Sequence, residues 1–222
     1  MMMNLFAVFD PVSVFGLHLN WVSIFIGLLI IPLLFWVVPC RYVSLFLIIF
    51  NLLSKELQSI FSKKWGGVIF LLCCLFWFIA LNNFFGLFPY IFTASSHVIF
   101  TLGLPFPVWL SLMIFGWVNM TNKMFAHLVP VGTPFVLMMF MVIIESVSNL
   151  IRPITLSVRL AANMIAGHLL IVLLGGVISG SLVIISSGIF VMMMLLVLEL
   201  AVAFIQAYVF VVLSGLYSAE IN

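Results

Sequence analysis

Five stretches of this chain are apolar over about twenty residues or more, which is the length that an α-helix needs to cross a bilayer. They cover about residues 14–38, 67–90, 97–118, 134–176 and 182–217. Only 5% of the residues are charged, whereas a soluble domain carries about 25%. A water-facing surface cannot be built from this composition. The sequence therefore predicts an all-α integral membrane protein that crosses the bilayer several times.

The segment at residues 42–64, between the first two spans, differs from its neighbours. Polar side chains stand among Leu, Phe and Ile there, and they include Lys55, Glu56, Gln58, Lys63 and Lys64. This mixture is typical of an amphipathic helix that lies in the interface of a membrane. No shift in composition marks a domain boundary, and the sequence has no evident internal repeat. We therefore expect one transmembrane domain over residues 1–222.

The basic residues predict an orientation. One side of the membrane receives five of them, which are Arg41, Lys55, Lys63, Lys64 and Lys123. The opposite loop, near residues 93–97, has no Lys or Arg. Because inner loops carry the excess of Lys and Arg, we expect the 42–64 segment and the carboxy terminus inside and the amino terminus outside. The net charge of +2 is too small to indicate a nucleic-acid partner.

The fourth apolar stretch is too long for an ordinary span. Residues 134–176 would form a helix about 60 Å long, whereas the hydrocarbon core of a bilayer is about 30 Å thick. Pro153 removes one backbone hydrogen bond of such a helix and favours at least a kink. Either the chain breaks there into two spans or one helix lies strongly tilted. The residues alone leave both alternatives open.

Ionisable side chains inside the spans are confined to the last two stretches. They are Glu145, Arg152, Arg159, His168 and Glu199. Placing one such group at the centre of a membrane helix costs about 2.5–3.5 kcal/mol on insertion scales, so these groups are rare and usually functional. A network of ion pairs that only fixes helix packing is one interpretation. A pathway for ions or protons is the interpretation that the concentration of charge favours.

Helical spacing arranges these groups. Glu145, Arg152 and Arg159 recur every seven residues and nearly share one face, to which Asn163 also belongs, whereas His168 points away from Arg159. Glu199 and Gln206 share a face of the last stretch. Glycines at 175, 176 and 180 predict a turn between the two stretches. In an antiparallel hairpin the numbers of any two facing residues have the same sum. This sum is 365 for Arg159 with Gln206 and 367 for His168 with Glu199. One register of the hairpin is therefore predicted to bring both pairs together.

Two motifs carry a resemblance to a known family. Residues 157–168 have the sequence SVRLAANMIAGH, and residues 82–89 have the sequence NNFFGLFP. The first resembles the signature of the ATP synthase F0 subunit a family, also called subunit 6, with Glu199 and Gln206 following at the family's spacing. Bacterial members usually have an acidic residue at the position of His168 and a histidine at that of Glu199. The exchanged pair and the short loops resemble the mitochondrial type.

The resemblance implies a role for each residue. A ring of c subunits, each with one carboxyl group, would turn past the long carboxy-terminal hairpin. Arg159 would keep the passing carboxylate ionised and block a direct proton leak, with Asn163 and Gln206 as its polar neighbours. His168 and Glu199 would line the half-channel from the intermembrane space.

The resemblance also implies a setting. Glu145, with Glu220, would line the matrix half-channel. The long stretches would be tilted helices, which favours a single kinked helix at Pro153. The chain would act in the mitochondrial inner membrane with other F0 stator and peripheral-stalk subunits, lipids and protons. Its amino terminus would face the intermembrane space and its carboxy terminus the matrix. It would not be catalytic alone, and neither a cofactor nor a metal is implied.

Three other classes of membrane protein remain as alternatives. A respiratory-chain subunit that binds haem or quinone would need histidine pairs inside spans, whereas His97 and His127 fall in predicted loops and His18 near the end of a span. A secondary transporter usually has inverted repeats with broken helices in both halves, whereas the ionisable groups here lie in one half. A structural assembly factor would not be expected to carry a buried arginine that is aligned with a glutamate and a histidine.

Overall fold

The computed structural model describes residues 9–12, 18–32, 37–61, 66–88, 91–129, 134–177 and 182–220. All regular structure in these ranges is helical. The helices are α1 (Ser23–Ile30), α2 (Arg41–Ile60), α3 (Gly66–Gly86), α4 (Val98–Gly103), α5 (Pro105–Asn119), α6 (Thr121–His127), α7 (Phe135–Val177) and α8 (Leu182–Glu220). Short 3-10 turns precede α1 and α4, at Leu19–Val22 and Ala94–Ser96. The predicted all-α class is confirmed.

Several helices have the length and composition of membrane spans. Among the described residues there are five, at Arg41–Ile60, Gly66–Gly86, Val98–Asn119, Leu137–Gly176 and Ile185–Ala219. The prediction of a polytopic membrane protein is therefore confirmed. The first of the five is α2, for which the sequence predicted an interfacial position over residues 42–64. Because it meets the length and composition of a span as well, its position relative to the membrane stays a prediction.

The first predicted span is shorter in the structure. Within residues 14–38 the described helical segment is Leu19–Ile30, and Ile31 has an extended backbone. The residue before a proline is biased away from the helical conformation, so Pro32 accounts for the end of α1. Residues 13–17 and 33–36 lie outside the described part of the chain. Apolar composition alone did not reveal this boundary.

α3 lies at the centre of the bundle and packs most extensively against α8. Leu72, Cys73 and Ile79 of α3 are each no more than 1% exposed. Small side chains on α8 let the backbones approach, as in other membrane bundles, and Ala207 is fully buried there. At Gly215 an added Cβ would meet Leu57 of α2 at 3.3 Å. The core thus joins α2, α3 and α8 with the middle of α7.

The last two helices form the long hairpin that the resemblance implied. α7 has 43 residues and is continuous through Pro153, and α8 has 39 residues. Proline is tolerated inside membrane helices because neighbouring groups satisfy the freed carbonyl. At 1.5 Å per residue α7 is about 65 Å long. The two alternatives at Pro153 are thereby resolved in favour of one helix.

The outer faces of the long helices are largely apolar. Met139 of α7 is 80% exposed, and Phe190 of α8 is 64% exposed. Large exposed apolar surfaces mark sites of contact with a membrane or another protein. The bundle has two ends, which we name by their structure. The turn end carries residues 87–88 and 91–97, which lie between α3 and α4. The α2 end carries Tyr217, near the contact of Leu57 with Gly215.

Candidate functional site: an exposed arginine between two polar clusters

Arg159 lies near the middle of α7 with its side chain exposed. The next two residues, Leu160 and Ala161, are only 3% and 2% exposed because they pack into the bundle. Helical geometry therefore directs the guanidinium outward from the chain. Among the described residues none forms a hydrogen bond or an ion pair with it. Since a guanidinium stays protonated in nearly any setting, α7 presents a permanent positive charge on its outer surface.

The surface around Arg159 is formed partly by small side chains. Ala162 and Ala166, one and two turns further along α7, are exposed on the same side. Small residues let a second helix approach closely in a membrane. The outward face of α7 at this point is therefore flat and carries one charge, which suits contact with a helix that bears the opposite charge.

Glu199 of α8 reaches the backbone of α7 at Gly167. The residue is 8% exposed, and both carboxylate oxygens are buried. A Cβ added at Gly167 would lie 2.7 Å from Oε1 of Glu199, so only glycine leaves room for the carboxylate there. The residue numbers of this contact add up to 366, between the two predicted sums. The contact therefore agrees with the predicted hairpin register.

Asn163 connects the surroundings of Arg159 with Glu199. Asn163 follows Arg159 by one helical turn, and it lines a small cavity together with Glu199 and Gly167. The cavity volume is about 10 Å³, which is near the minimum of roughly 10–15 Å³ that a cavity needs to hold one water molecule. Leu87, at the start of the turn end, closes another wall. The arrangement suits transfer of a proton through one bound water.

His168 lies beside this cavity along α7 and is half-buried. Its Nε2 atom is buried and has no hydrogen-bond partner among the described residues. The ring of Phe9 packs edge-on against it, with ring centroids 6.4 Å apart. Because Glu199 contacts the preceding residue, the structure brings the two predicted titratable groups to one region of the hairpin. A direct hydrogen bond between His168 and Glu199 stays a prediction.

A second polar cluster lies on α7 toward the α2 end. The guanidinium of Arg152 is 3.8 Å from Oε1 of Glu145, and the seven-residue spacing of the two side chains had placed them on one face of the helix. The same guanidinium lies over the ring of Tyr217 of α8, 4.7 Å from its centroid. A cation over an aromatic face is attracted to it by about 0.5–2 kcal/mol. Arg152 is therefore held from two sides.

A cavity of about 320 Å³ adjoins this cluster. Glu145, Arg152 and Tyr217 form part of its wall, and Trp109 and Trp117 of α5 form another part. Its volume is about ten times the 30 Å³ that a water molecule occupies in the liquid. The cavity therefore has room for several water molecules next to a carboxylate.

Comparison with known proteins decides the family. Residues 12–219 match the family described as ATP synthase A chain. The chain belongs to the ATP synthase A chain family. It is 53% identical to ATP synthase subunit a of Drosophila melanogaster over 224 residues, covering 100% of both chains. It is 54% identical to ATP synthase subunit a of Anopheles quadrimaculatus and to that of Aedes albopictus, each over 226 residues and again with 100% of both chains covered.

Membership of the ATP synthase A chain family confirms the resemblance of the sequence motifs. It makes the chain a component of the proton-translocating F0 sector, which functions together with other subunits in a membrane. The predicted contacts of two further site residues are not tested by the structure. Gln206 is half-buried on α8, and its proximity to Arg159 stays a prediction. Glu220 is the last residue of α8, and its side chain lies outside the described part of the structure.

The sequence did not reveal the contacts of two polar residues on other helices. Tyr217 contacts Arg152 from the neighbouring helix, and no spacing within α7 indicates that contact. Asn83 is fully buried on α3, and its Nδ2 donates to the carbonyl of Ala203 at 3.5 Å. The signal that could have identified Asn83 was its amide side chain, which stands inside an apolar span in the NNFFGLFP motif.

Proposed function

We propose that this chain is the proton-translocating stator subunit of the F0 sector of a mitochondrial ATP synthase, in which two half-channels meet at Arg159 beside a ring of c subunits. The observation that carries the proposal is the exposed guanidinium of Arg159 on a helix long and apolar enough to span a membrane. One polar cluster precedes it along α7 and another follows it. The chain would couple proton flow to rotation without catalysing ATP synthesis itself.

The exposure of Arg159 argues for a negatively charged partner within the membrane. A charged side chain at the centre of a lipid-facing helix costs about 2.5–3.5 kcal/mol on insertion scales. A carboxylate on an adjoining helix removes most of that cost. In a c ring each subunit would bring such a carboxylate to Arg159 in turn. Because the arginine cannot lose its proton, the carboxylate beside it would stay ionised until the ring moves on.

The separation of the two clusters argues for two half-channels rather than one pore. Glu145 precedes Arg159 by fourteen residues, or about 21 Å of helix, and His168 follows it by nine, or about 13 Å. A proton that crosses the membrane would enter at one cluster, travel on the c ring and leave at the other. The positive charge of Arg159 repels a proton that would pass directly between them.

We assign the turn end to the intermembrane-space half-channel and the α2 end to the matrix half-channel. His168, Glu199 and Asn163 would serve the first, with Gln206 as a further polar neighbour of Arg159. Glu145 would serve the second, with Glu220. The cavity of about 320 Å³ beside Glu145 supports this assignment because it gives the carboxylate room for water.

The length of the hairpin supports contact with a rotating ring. A helix of about 65 Å would tilt by about 60° to remain within about 30 Å of hydrocarbon. A helix tilted in this way crosses several upright helices of a ring and presents Arg159 at mid-depth. The other F0 stator and peripheral-stalk subunits would hold it against the torque.

The orientation follows from the basic residues. Arg41 and Lys55 belong to α2, and we propose that α2 faces the matrix, with the amino terminus in the intermembrane space and the carboxy terminus in the matrix. The insect relatives named subunit a favour the mitochondrial inner membrane as the location. In this orientation the turn end opens toward the intermembrane space.

Cross-linking in the assembled complex tests the predicted contact. We place a cysteine at Ala162, one turn beyond Arg159, and a second cysteine in the proteolipid beside its membrane carboxylate. A disulfide should form under mild oxidation. Ile114→Cys provides the control, because Ile114 is 55% exposed but lies on α5. Cross-linking from Ile114→Cys, with none from Ala162→Cys, would mean that α7 does not face the ring.

A further inference from the structure

Buried polar atoms without a protein partner gather at the turn end. The described residues contain seven such side-chain atoms. Six of them belong to five residues, Asn83, Ser95, His97, His168 and Glu199, and the exception is Nε1 of Trp77. Buried polar groups in proteins are nearly always satisfied by protein atoms or by water. A hydrated path through this end explains all six together.

His97 and His168 are the two residues of this group that are only half-buried. The Nε2 atom of His97 is nevertheless buried. Its ring packs against two aromatic rings that also contact each other, with centroids 5.2 Å from Trp21 and 5.1 Å from Phe92. The imidazole therefore has one part near the surface and one nitrogen directed into the protein. This is the arrangement of a group that connects the exterior with a buried path.

The turn that carries His97 is held in place by several contacts. The hydroxyl of Ser23 donates to the carbonyl of Phe92 at 3.1 Å, which ties the turn to α1. The hydroxyl of Ser96 donates to the carbonyl of Thr93 at 2.7 Å. Thr93 in turn packs against Gly86 at the end of α3, where an added Cβ would meet its Cγ2 at 3.2 Å. These contacts fix the turn, and with it the position of His97, relative to α1 and α3.

Ser95 links His97 with the interior. Ser95 is 1% exposed, and its hydroxyl has no partner among the described residues. The short helical turn Ala94–Ser96 packs against α7, which carries His168. The same loop begins with Leu87, which lines the cavity of Glu199. The described residues of the turn end thus contact both α7 and the cavity of Glu199.

We propose that His97 and Ser95 form the outer part of the half-channel at the turn end, with His97 taking protons from water and passing them inward past the Ser95 hydroxyl to His168 and Glu199. This inference rests on the proposed function. An imidazole binds a proton at one ring nitrogen and releases one from the other. Each transfer therefore takes up one proton and gives up one, and it needs no further reactant.

Proton flux through the membrane sector of the assembled complex in liposomes, after removal of the soluble sector, tests the role of His97. His97→Phe keeps a ring against Trp21 and Phe92 but cannot carry a proton. We expect it to lower the flux about tenfold, which corresponds to about 1.4 kcal/mol in one transfer step. His97→Ala should lower the flux similarly and leave a space that imidazole fills. Added imidazole should restore flux in His97→Ala and not in His97→Phe, a difference that a purely structural role does not produce.

Wild-type flux through an assembled His97→Phe complex would overturn the proposal. Arg159→Ala, examined alongside, separates the two proposals. If Arg159→Ala abolishes coupled ATP synthesis in the intact complex while His97→Phe changes neither synthesis nor flux, the proposed function stands and the role of His97 falls. If neither substitution has an effect, the proposed function falls as well.

Access of silver ions provides a second test, which does not require His97 to be changed. The background chain has its native Cys40, Cys73 and Cys74 replaced by serine. Silver ions added at the turn-end side should block proton flux in Ser95→Cys, because the path there is hydrated. Ser218→Cys is the matched control, since Ser218 is also 1% exposed but its hydroxyl donates to the carbonyl of Gly215 at 2.7 Å. Equal insensitivity of both variants would contradict the proposed path.

Discussion

The contact of Glu199 with Gly167 predicts that one substitution, Gly167→Ala, lowers proton flux while it leaves the stability of the complex nearly unchanged. An alanine at Gly167 would place its Cβ 2.7 Å from Oε1, 2.8 Å from Cδ and 3.2 Å from Cγ of Glu199. Contacts between carbon and other heavy atoms are favourable at about 3.5–4.0 Å. The carboxylate must therefore move by roughly 1 Å at its closest atoms. It would leave the cavity that it shares with Asn163.

The expected stability change is small because two effects oppose each other. Alanine is favoured over glycine inside a helix by about 0.5–1 kcal/mol. Overpacking a core costs about 1–3 kcal/mol, and the cost at Gly167 lies near the lower limit because a flexible side chain yields. We expect the melting temperature of the complex to be nearly unchanged. Proton flux should fall about tenfold or more, since a displacement of 1 Å costs a positioned group up to about a hundredfold.

Gly175→Ala is the matched control for Gly167→Ala, because both glycines lie in α7. A Cβ at Gly175 would have the Cε atom of Met192 as its nearest neighbour, at 3.8 Å. This variant should gain stability and keep its flux. The assay is proton flux together with thermal unfolding of the two assembled variants. Equal stabilisation by both substitutions with unchanged flux would refute the placement of the Glu199 carboxylate against Gly167.

Three further substitutions address the packing of α2 and the second cluster. Leu57→Ala should destabilise the complex by about 2–5 kcal/mol in thermal unfolding, since Leu57 is 1% exposed; a change below about 1 kcal/mol would mean that α2 does not dock as described. Tyr208→Phe removes a 3.1 Å hydrogen bond to Glu56 at an exposed position and should cost less than about 1 kcal/mol in the same assay. Arg152→Gln breaks the 3.8 Å ion pair with Glu145 and should retain coupled ATP synthesis, because Arg152 contacts Tyr217 rather than the outer face; complete loss of synthesis would contradict this.

The hairpin was the part of the fold that sequence reasoning described best. Its helices follow from uninterrupted apolar composition, and its register follows from the spacing of polar residues. The contact of Glu199 with Gly167 agrees with that register. Polar groups inside a membrane must lie near one another, so a few of them restrict the possible pairings. The composition of the last two spans therefore predicted most of the candidate site.

The contacts that sequence reasoning missed depend on how separate helices pack. Phe9 packs against His168, although the two residues are far apart in the sequence. No periodicity within one helix predicts such a contact. Pro32 and Pro153 also have different effects. The first follows a residue with extended backbone after α1, whereas the second lies within continuous α7. The difference arises from packing around Pro153, which is buried in the bundle, and composition does not indicate that packing.

Substitution of Arg159 tests the central proposal most directly. The measurement compares ATP synthesis and passive proton leak in membrane vesicles that contain assembled variant complexes. Arg159→Ala should abolish synthesis and allow protons to leak, because no positive charge then separates the two clusters. Arg159→Lys should also abolish synthesis, since a lysine in an apolar site is able to lose its proton. Near-normal ATP synthesis by Arg159→Ala, without a leak, would contradict the mechanism.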